Sequence, residues 1–285
     1  MREFVPWWGR IGAKLILSRI PAGYSLWRRL NLFAHGQMHR PEYALRIFRE
    51  HFGRSGLRAG LPFVALELGP GDSLASALVT AAHGATRTYL VDAGDFATAD
   101  PVVYREMARY LRMQGLMPPE LEAGADRAGL LSVTRASYGT AGLESLRQIP
   151  SQSVDFIWSN AVLEHIRRAD FTDFIAQTRR ILRPGGSCSH QIDLRDHLGG
   201  ALNNLRISSR CWERQWMANS GFYTNRLRKS QILQIFAASG FAAEVVATQR
   251  WDALPTARDA FAPEFKHFDA EDLLVSGFAV VLRVA

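Results

Sequence analysis

The sequence has only two cysteines among 285 residues, Cys188 and Cys211. Two cysteines are too few for a disulfide scaffold, and their spacing fits neither a zinc ribbon nor a Cys-x-x-Cys redox pair. An apolar run of about 20 residues, the length of a membrane-spanning helix, is also missing, because Lys14 and Arg19 interrupt the most apolar N-terminal stretch. Pro6 and these charges argue against a signal peptide. We therefore expect a cytoplasmic protein in a reducing compartment.

A net excess of positive charge is missing outside one segment. Residues 1–60 contain eleven Lys or Arg and three Asp or Glu, a net charge of +8, whereas the remainder contains 23 against 24. Trp7, Trp8 and Trp27 lie in the same segment, here called the N-terminal arm. The arm has two compatible interpretations: a lid packed on the rest of the chain, or a surface that contacts an anionic membrane or a lipid-linked substrate at the inner membrane face. Nucleic acid is disfavoured as a partner.

From residue 61 to 285 strands alternate with helices, which is typical of a parallel sheet covered on both faces. The predicted strands span residues 63–68, 87–92, 131–138, 154–159, 187–193, 242–248 and 277–283. The predicted helices span residues 73–83, 101–113, 171–182 and 230–239, and the arm adds a helix ending at Pro21 and others over 24–33 and 41–52. We predict an α/β fold with a doubly wound, mostly parallel, seven-stranded sheet. Residues 195–228 fit no regular element, and we expect this insertion to contact a substrate.

A glycine turn follows the first predicted strand. Residues 67–71 read Glu-Leu-Gly-Pro-Gly and lead into a helix, so the backbone can approach a ligand at the helix N-terminus. The second strand ends at Asp92, where a carboxylate meets a ribose in such folds. A dinucleotide site would have glycine at the position of Leu74, and Glu67 would repel a diphosphate. The pattern therefore favours S-adenosylmethionine, which carries sulfonium and ammonium groups.

Four motifs in family order resemble those of the class I S-adenosylmethionine-dependent methyltransferases. They are residues 67–71, Asp92, residues 153–165 and residues 182–186. The resemblance covers about residues 60–285 and implies a Rossmann-like methyltransferase domain. It also implies a set of cofactor-binding residues: Glu67, Gly69, Pro70, Gly71, Asp92, Ala93, Ser137 and Asn160.

The resemblance implies a role for several of these residues. Glu67 would hold the amino group of the cofactor, Asp92 its ribose hydroxyls, and Asn160 would lie beside the reacting methyl group. Asn160 has an alternative role as the cap of the following helix. Family members often carry an acid after the third strand that contacts the adenine, and here Ser137 or a backbone amide would replace it.

Ionisable side chains are dense over residues 189–197, at the carboxyl end of the fifth predicted strand. A histidine can take a proton from an attacking hydroxyl, and a carboxylate can orient that histidine. The alternative is that Asp193 pairs with Arg195 and that His190 lies within the sheet, since strand alternation sends His190 and Asp193 to opposite faces. Metal binding by this run is the weaker interpretation, and we predict no metal ligands. The predicted catalytic residues are His190, Asp193, His197 and, from the fourth-strand motif, His165.

The sequence thus predicts an S-adenosylmethionine-dependent methyltransferase. The histidines and the aromatic insertion favour O-methylation of a sugar, a glycan-linked hydroxyl or another small molecule. Three alternatives remain open at this point. They are N-methylation of a small molecule, a non-catalytic binding protein with the same fold, and an oxidoreductase that uses a nicotinamide cofactor.

Overall fold

The computed structural model describes residues 37–122 and 124–285. Within these ranges the strands are β1 (Phe63–Leu68), β2 (Ala85–Val91), β3 (Ala136–Gly139), β4 (Val154–Asn160), β5 (Leu182–Asp193), β6 (Phe241–Arg250) and β7 (Val275–Val284). The helices are α1 (Pro41–Ser55), α2 (Ser76–Ala82), α3 (Pro101–Met113), α4 (Arg127–Val133), α5 (Leu143–Arg147), α6 (Phe171–Ile181), α7 (Ser209–Trp212), α8 (Gln215–Ala218), α9 (Lys229–Ala238) and α10 (Ala270–Leu273). Short 3₁₀ turns cover Leu163–His165, Asn203–Arg206, Arg258–Ala260 and Pro263–Phe265.

The strands form one sheet in the order β3-β2-β1-β4-β5-β7-β6. The pairs among β1 to β5 are parallel, and β7 runs antiparallel to both β5 and β6. The order of the strands reverses between β1 and β4, and ligands of doubly wound folds bind at the carboxyl ends of the strands at such a point. The predicted fold, an α/β protein with a mostly parallel seven-stranded sheet, is confirmed.

Apolar side chains cover both faces of the sheet. On one face Phe48 of α1 packs edge-on against Phe156 and Trp158 of β4. On the other face Phe174 and Phe236, from α6 and α9, belong to a second buried cluster. Each fully buried side chain of this size stabilises the fold by roughly 1.5–3 kcal/mol. This two-sided burial explains why the central strands read as nearly continuous apolar runs.

Helix α1 confirms the predicted helix over residues 41–52 and extends it. Pro41 occupies the first turn, and Gly56 ends the helix with a φ of 82°. The helix packs against β5, α2 and α3. The predicted helices before residue 37, and the arm tryptophans, lie outside the described residues. In the part of the chain that is described, no helix is both long and apolar enough to cross a bilayer.

The predicted strand over residues 131–138 is wrong in its first half. Helix α4 occupies that stretch because the Asp126 side chain accepts a hydrogen bond from the Gly129 amide at 2.9 Å and caps the helix. Arg135, with a positive φ of 52°, then turns the chain into β3. The apolar residues of α4 predict a strand as well as a helix, because so short an apolar run fits the periodicity of both.

The insertion after β5 has its own small core. Leu198, Trp212, Met217, Phe222 and Tyr223 are buried together there. Its regular elements are single helical turns, so side-chain contacts hold the segment in place.

Candidate functional site

A cavity of about 670 Å³ opens at the carboxyl ends of β1 and β4. Most of the predicted site residues line it. From the predicted cofactor set these are Glu67, Gly69, Pro70, Gly71, Asp92, Ala93 and Asn160, and from the predicted catalytic set His165, Asp193 and His197. The two sets occupy one continuous cavity, as a methyl donor and its acceptor require.

The glycine turn has a backbone shape that favours glycine. Gly69 and Gly71 have φ values of 69° and 68°, in the left-handed region. A Cβ atom on Gly69 would lie 2.5 Å from Cγ2 of Val162, so a side chain there would force Val162 to move. The amide of Gly69 donates to the Val91 carbonyl at 2.8 Å and holds the turn against the end of β2.

Asp92 connects the glycine turn to the end of β2. Its carboxylate accepts hydrogen bonds from the amide of Gly71 at 3.0 Å and from that of Ala93 at 2.7 Å. The same side chain lines the cavity. Asp92 therefore both shapes the turn and presents negative charge to a bound ligand.

Glu67 is a buried carboxyl group in the wall of the cavity, with 2% of its surface exposed. Burial raises its pKa to about 8; the Ser76 hydroxyl, which donates a hydrogen bond to it, works against this rise, and the charge of Asp92 adds to it. Within the described part of the chain Glu67 forms no ion pair. A buried carboxylate without a cation favours a positively charged ligand group.

These features fit S-adenosylmethionine. When bound, the cofactor supplies a methyl group activated by a sulfonium. Glu67 would face its ammonium group, and the part of the cavity that Gly69 and Gly71 line would admit its methionine chain. Asp92 would accept hydrogen bonds from its ribose hydroxyls.

The structure does not bring Ser137 to the cavity, so its predicted adenine contact is not supported. Ser137 lies in the middle of β3, paired with Tyr89, and does not line the cavity. Phe96, Gly142 and Leu143 line this part of the wall instead. In the sequence, Gly142 and the apolar Leu143 shortly after the third strand were the pattern that could have indicated this part of the cavity wall.

Two residues that the sequence analysis missed lie beside Asn160. The Asn160 amide donates to the Tyr43 hydroxyl at 3.4 Å, and Tyr43, from α1, lines the cavity. Ala161 has a positive φ of 56°, which is rare for a residue with a side chain. The chain thus turns sharply directly after Asn160. Neither feature follows from a local motif, because one depends on packing of α1 and the other on the backbone.

His165 and His197 meet at the other end of the cavity. Their ring centroids are 4.8 Å apart, with an interplanar angle of 78°. Nδ1 of His165 lies 2.9 Å from the Tyr223 carbonyl oxygen. A carbonyl only accepts hydrogen bonds, so Nδ1 carries a proton.

Asp193 also lines the cavity, but its carboxylate is engaged. Arg195 binds it through Nε at 2.9 Å and through Nη2 at 2.7 Å. The amide of Asp193 donates to Oε1 of Glu164 at 3.2 Å. Glu164 is fully buried, and this burial raises its pKa to about 8. The ion pair with Arg195, one of the two interpretations of this run, is the one that the structure shows.

His190 is not positioned for the catalytic role predicted from the sequence. It is 0% exposed, its Nδ1 lies 2.8 Å from the Ser159 hydroxyl, and its ring stacks on Phe236. Burial lowers its pKa to about 3. The residue faces the core because β5 alternates sides, as the opposite orientations of His190 and Asp193 anticipate. Among residues 37–122 and 124–285, no three His, Cys, Asp or Glu side chains are grouped to hold a metal.

Comparisons with known proteins agree with this geometry. A family model described as a methyltransferase domain matches residues 116–189, which include the β4 motif and most of β5. No curated protein matches the sequence. A solved Haemonchus contortus phosphoethanolamine N-methyltransferase 2, in complex with phosphomonomethylethanolamine and S-adenosylhomocysteine, is 15% identical. That match covers 94% of this chain and 59% of the other, with a TM-score of 0.50.

Two bacterial structures are also similar. An S-adenosylmethionine-dependent methyltransferase from Mesorhizobium loti is 17% identical over 85% of this chain and 96% of its own, with a TM-score of 0.44. A Burkholderia thailandensis 1,6-didemethyltoxoflavin-N1-methyltransferase is 15% identical over 96% of this chain and 89% of its own, with a TM-score of 0.46. The match over residues 116–189, together with the sheet and the cavity at its switch point, identifies a methyltransferase domain in this chain.

Proposed function

We propose that the protein methylates a hydroxyl group of a sugar, a glycan-linked acceptor or another small molecule. The observation that carries this proposal is the hydrogen bond from Nδ1 of His165 to the Tyr223 carbonyl. In a neutral imidazole this bond places the lone pair on Nε2, and His165 lines the cavity. A hydroxyl has a pKa far above neutral, so its attack benefits from a base.

The remaining steps need little chemistry from the protein, because the methyl group of the cofactor is already activated. The chain has to align the acceptor and exclude water. Tyr43 and Asn160 form one wall beside the cofactor end, and Tyr223 of the insertion forms the wall at the acceptor end. As the acceptor oxygen attacks, His165 takes its proton on Nε2, and the Tyr223 carbonyl stabilises the resulting imidazolium through Nδ1.

An amine acceptor is the second candidate. The carboxylate of Asp170 lines the same cavity and would attract a cationic amine. The Haemonchus contortus enzyme of similar fold is an N-methyltransferase. An amine loses its proton more easily than a hydroxyl, so N-methylation depends less on His165.

Transfer of labelled methyl groups tests the proposal. The protein is incubated with methyl-labelled S-adenosylmethionine and fractions of a cell extract, and the labelled product is isolated and its methyl linkage identified by mass spectrometry. We expect a methyl ether on a carbohydrate-containing or small-molecule fraction. A methylamine product would overturn O-methylation and support the second candidate. The absence of label in every fraction would count against both.

We also propose that the arm brings the protein to anionic lipid or to a lipid-linked acceptor. The charge of +8 over residues 1–60 supports this, as does Arg46 of α1, whose side chain is 61% exposed. Vesicles of phosphatidylcholine with and without phosphatidylglycerol distinguish the interpretations. We expect binding only to the anionic vesicles, weakening as salt rises. No binding at low salt would leave the lid interpretation alone.

A further inference from the structure

The turn that carries His165 is held by one stretch of the insertion. Residues 223–225, here called the strap, run alongside residues 163–166, here called the His165 turn. The backbone amide of Asn225 donates to the Glu164 carbonyl at 2.7 Å. Its side-chain amide donates to the carbonyls of Leu163 at 2.8 Å and Ile166 at 3.1 Å. Asn225 thus binds three successive parts of the turn.

The strap is anchored equally well on its other side. The indole of Trp212 donates to the Thr224 carbonyl at 2.7 Å, and the Asn204 amide donates to the Thr224 hydroxyl at 3.0 Å. Tyr223 adds its carbonyl, which accepts from His165, and its hydroxyl, which accepts from the Arg168 amide at 3.1 Å. The strap therefore transmits the position of the insertion core to the imidazole ring.

The hydrogen-bonding groups of Asn225 are used in full. Both N–H groups of its side chain are engaged, and its Oδ1 accepts from the Leu227 amide at 3.1 Å. The residue is 1% exposed, so water cannot readily replace these bonds. Only a short side chain with two donors and one acceptor satisfies all three partners.

We propose that Asn225 is a positioning residue for His165: by joining the strap to the His165 turn, it holds the imidazole with the proton of Nδ1 directed at the Tyr223 carbonyl. This inference rests on the proposed base role of His165. The cofactor end of the cavity is built from β1 and β2 and does not involve the strap. Loss of Asn225 therefore impairs proton removal and leaves cofactor binding intact.

The test compares Asn225→Ala with Asn225→Ser, in which a hydroxyl retains one donor. Asn219→Ala, at an exposed position of the same insertion, is the matched control. Nitrogen-15 spectra of labelled histidines report the tautomer of His165, calorimetry reports S-adenosylmethionine affinity, and labelled transfer reports turnover. For Asn225→Ala we expect a His165 signal shifted toward mixed tautomers and turnover at least tenfold lower. Affinity for the cofactor stays within twofold, Asn225→Ser is intermediate, and the control matches the wild type.

Thermal unfolding establishes whether each variant is folded. If Asn225→Ala does not fold, the tautomer and the turnover of Asn225→Ser test the inference instead. A folded variant with the wild-type tautomer and wild-type turnover overturns the inference. His165→Gln separates this failure from that of the proposed function. If His165→Gln loses turnover and Asn225→Ala does not, the positioning role alone is wrong. If His165→Gln keeps full turnover, the base role is wrong and the role of Asn225 fails with it.

Discussion

The two ends of the cavity are built in different ways. At the cofactor end, Glu67, Gly69 and Gly71 come from one short stretch of chain, and Asp92 joins them from the adjacent strand end. At the acceptor end, His165 meets His197 and Tyr223, which lie 32 and 58 positions further along the chain. The cofactor end therefore depends on local backbone shape, whereas the acceptor end depends on how the insertion folds back onto β4.

This difference predicts that the two ends respond separately to substitution. The cofactor end should lose affinity when its turn is altered, and the acceptor end should lose turnover. Four predictions examine that separation, beginning with the largest expected effect.

The largest effect is expected at His165. His165→Gln should lower turnover by roughly 10²–10⁴, the usual contribution of a general base. His190→Gln is the matched comparison, since His190 is buried and bonded to Ser159. His190→Gln should lower the free energy of unfolding by about 1–3 kcal/mol and keep the turnover per folded molecule within a few-fold of the wild type. The labelled-transfer rate, normalised to folded protein, checks both; equal losses of turnover would contradict the placement of the two histidines.

Asp92 should have the next largest effect, on affinity. Asp92→Ala removes the acceptor for the ribose hydroxyls and for the Gly71 amide. We expect S-adenosylmethionine binding to weaken by about 1–3 kcal/mol, roughly 5- to 150-fold in the dissociation constant. Asp92→Asn keeps the shape and one acceptor oxygen and should lose less. Unchanged affinity by calorimetry in a folded Asp92→Ala protein would contradict the ribose assignment.

Gly69 gives a smaller effect with two separable causes. Gly69→Ala adds roughly 1–2 kcal/mol of backbone strain and a contact of 2.5 Å with Val162. Combining it with Val162→Ala removes the contact and leaves the strain. Chemical unfolding of the single and double variants should therefore show partial recovery. Full recovery would mean that the positive φ of Gly69 costs little, and no recovery would mean that Val162 moves freely.

The smallest effect is a pH dependence that arises from Glu67. Its folded pKa of about 8 lies above the ordinary 4.5, so its contribution to stability is complete below about pH 4.5 and is lost as the pH rises through 8. A cationic ligand favours the ionised form, so binding near pH 7 should release a proton. Affinity should rise with pH and level off above 8.

Calorimetry of S-adenosylmethionine binding at pH 7, in buffers of different ionisation enthalpy, measures how many protons are released. Glu67→Gln should abolish its release. Glu164 has a similarly raised pKa but does not line the cavity, so Glu164→Gln should retain the release. Wild-type proton release by Glu67→Gln would show that another group supplies the proton.

The same contrast explains how far the sequence could predict the structure. The glycine turn, the carboxylate at the end of β2 and the β4 motif are local patterns, so the fold could be predicted, and most of the residues predicted to bind the cofactor line the cavity. Ser137 lies outside the cavity, because strand position alone does not say which side chains reach it. His190 lies in the core, because the density of ionisable residues along the chain does not say which of them are buried. Asn225 and Tyr43 carry no local signal, since their roles come from contacts across the fold.

The most direct test of the two-ended cavity measures both properties on two variants. The dissociation constant of S-adenosylmethionine and the rate of labelled methyl transfer at saturating cofactor are determined for Asp92→Ala and His165→Gln. We expect Asp92→Ala to weaken binding about 5- to 150-fold. We expect His165→Gln to bind the cofactor as the wild type does and to transfer methyl groups at least 100-fold more slowly. A His165→Gln protein with weakened cofactor binding and wild-type transfer at saturation would contradict it.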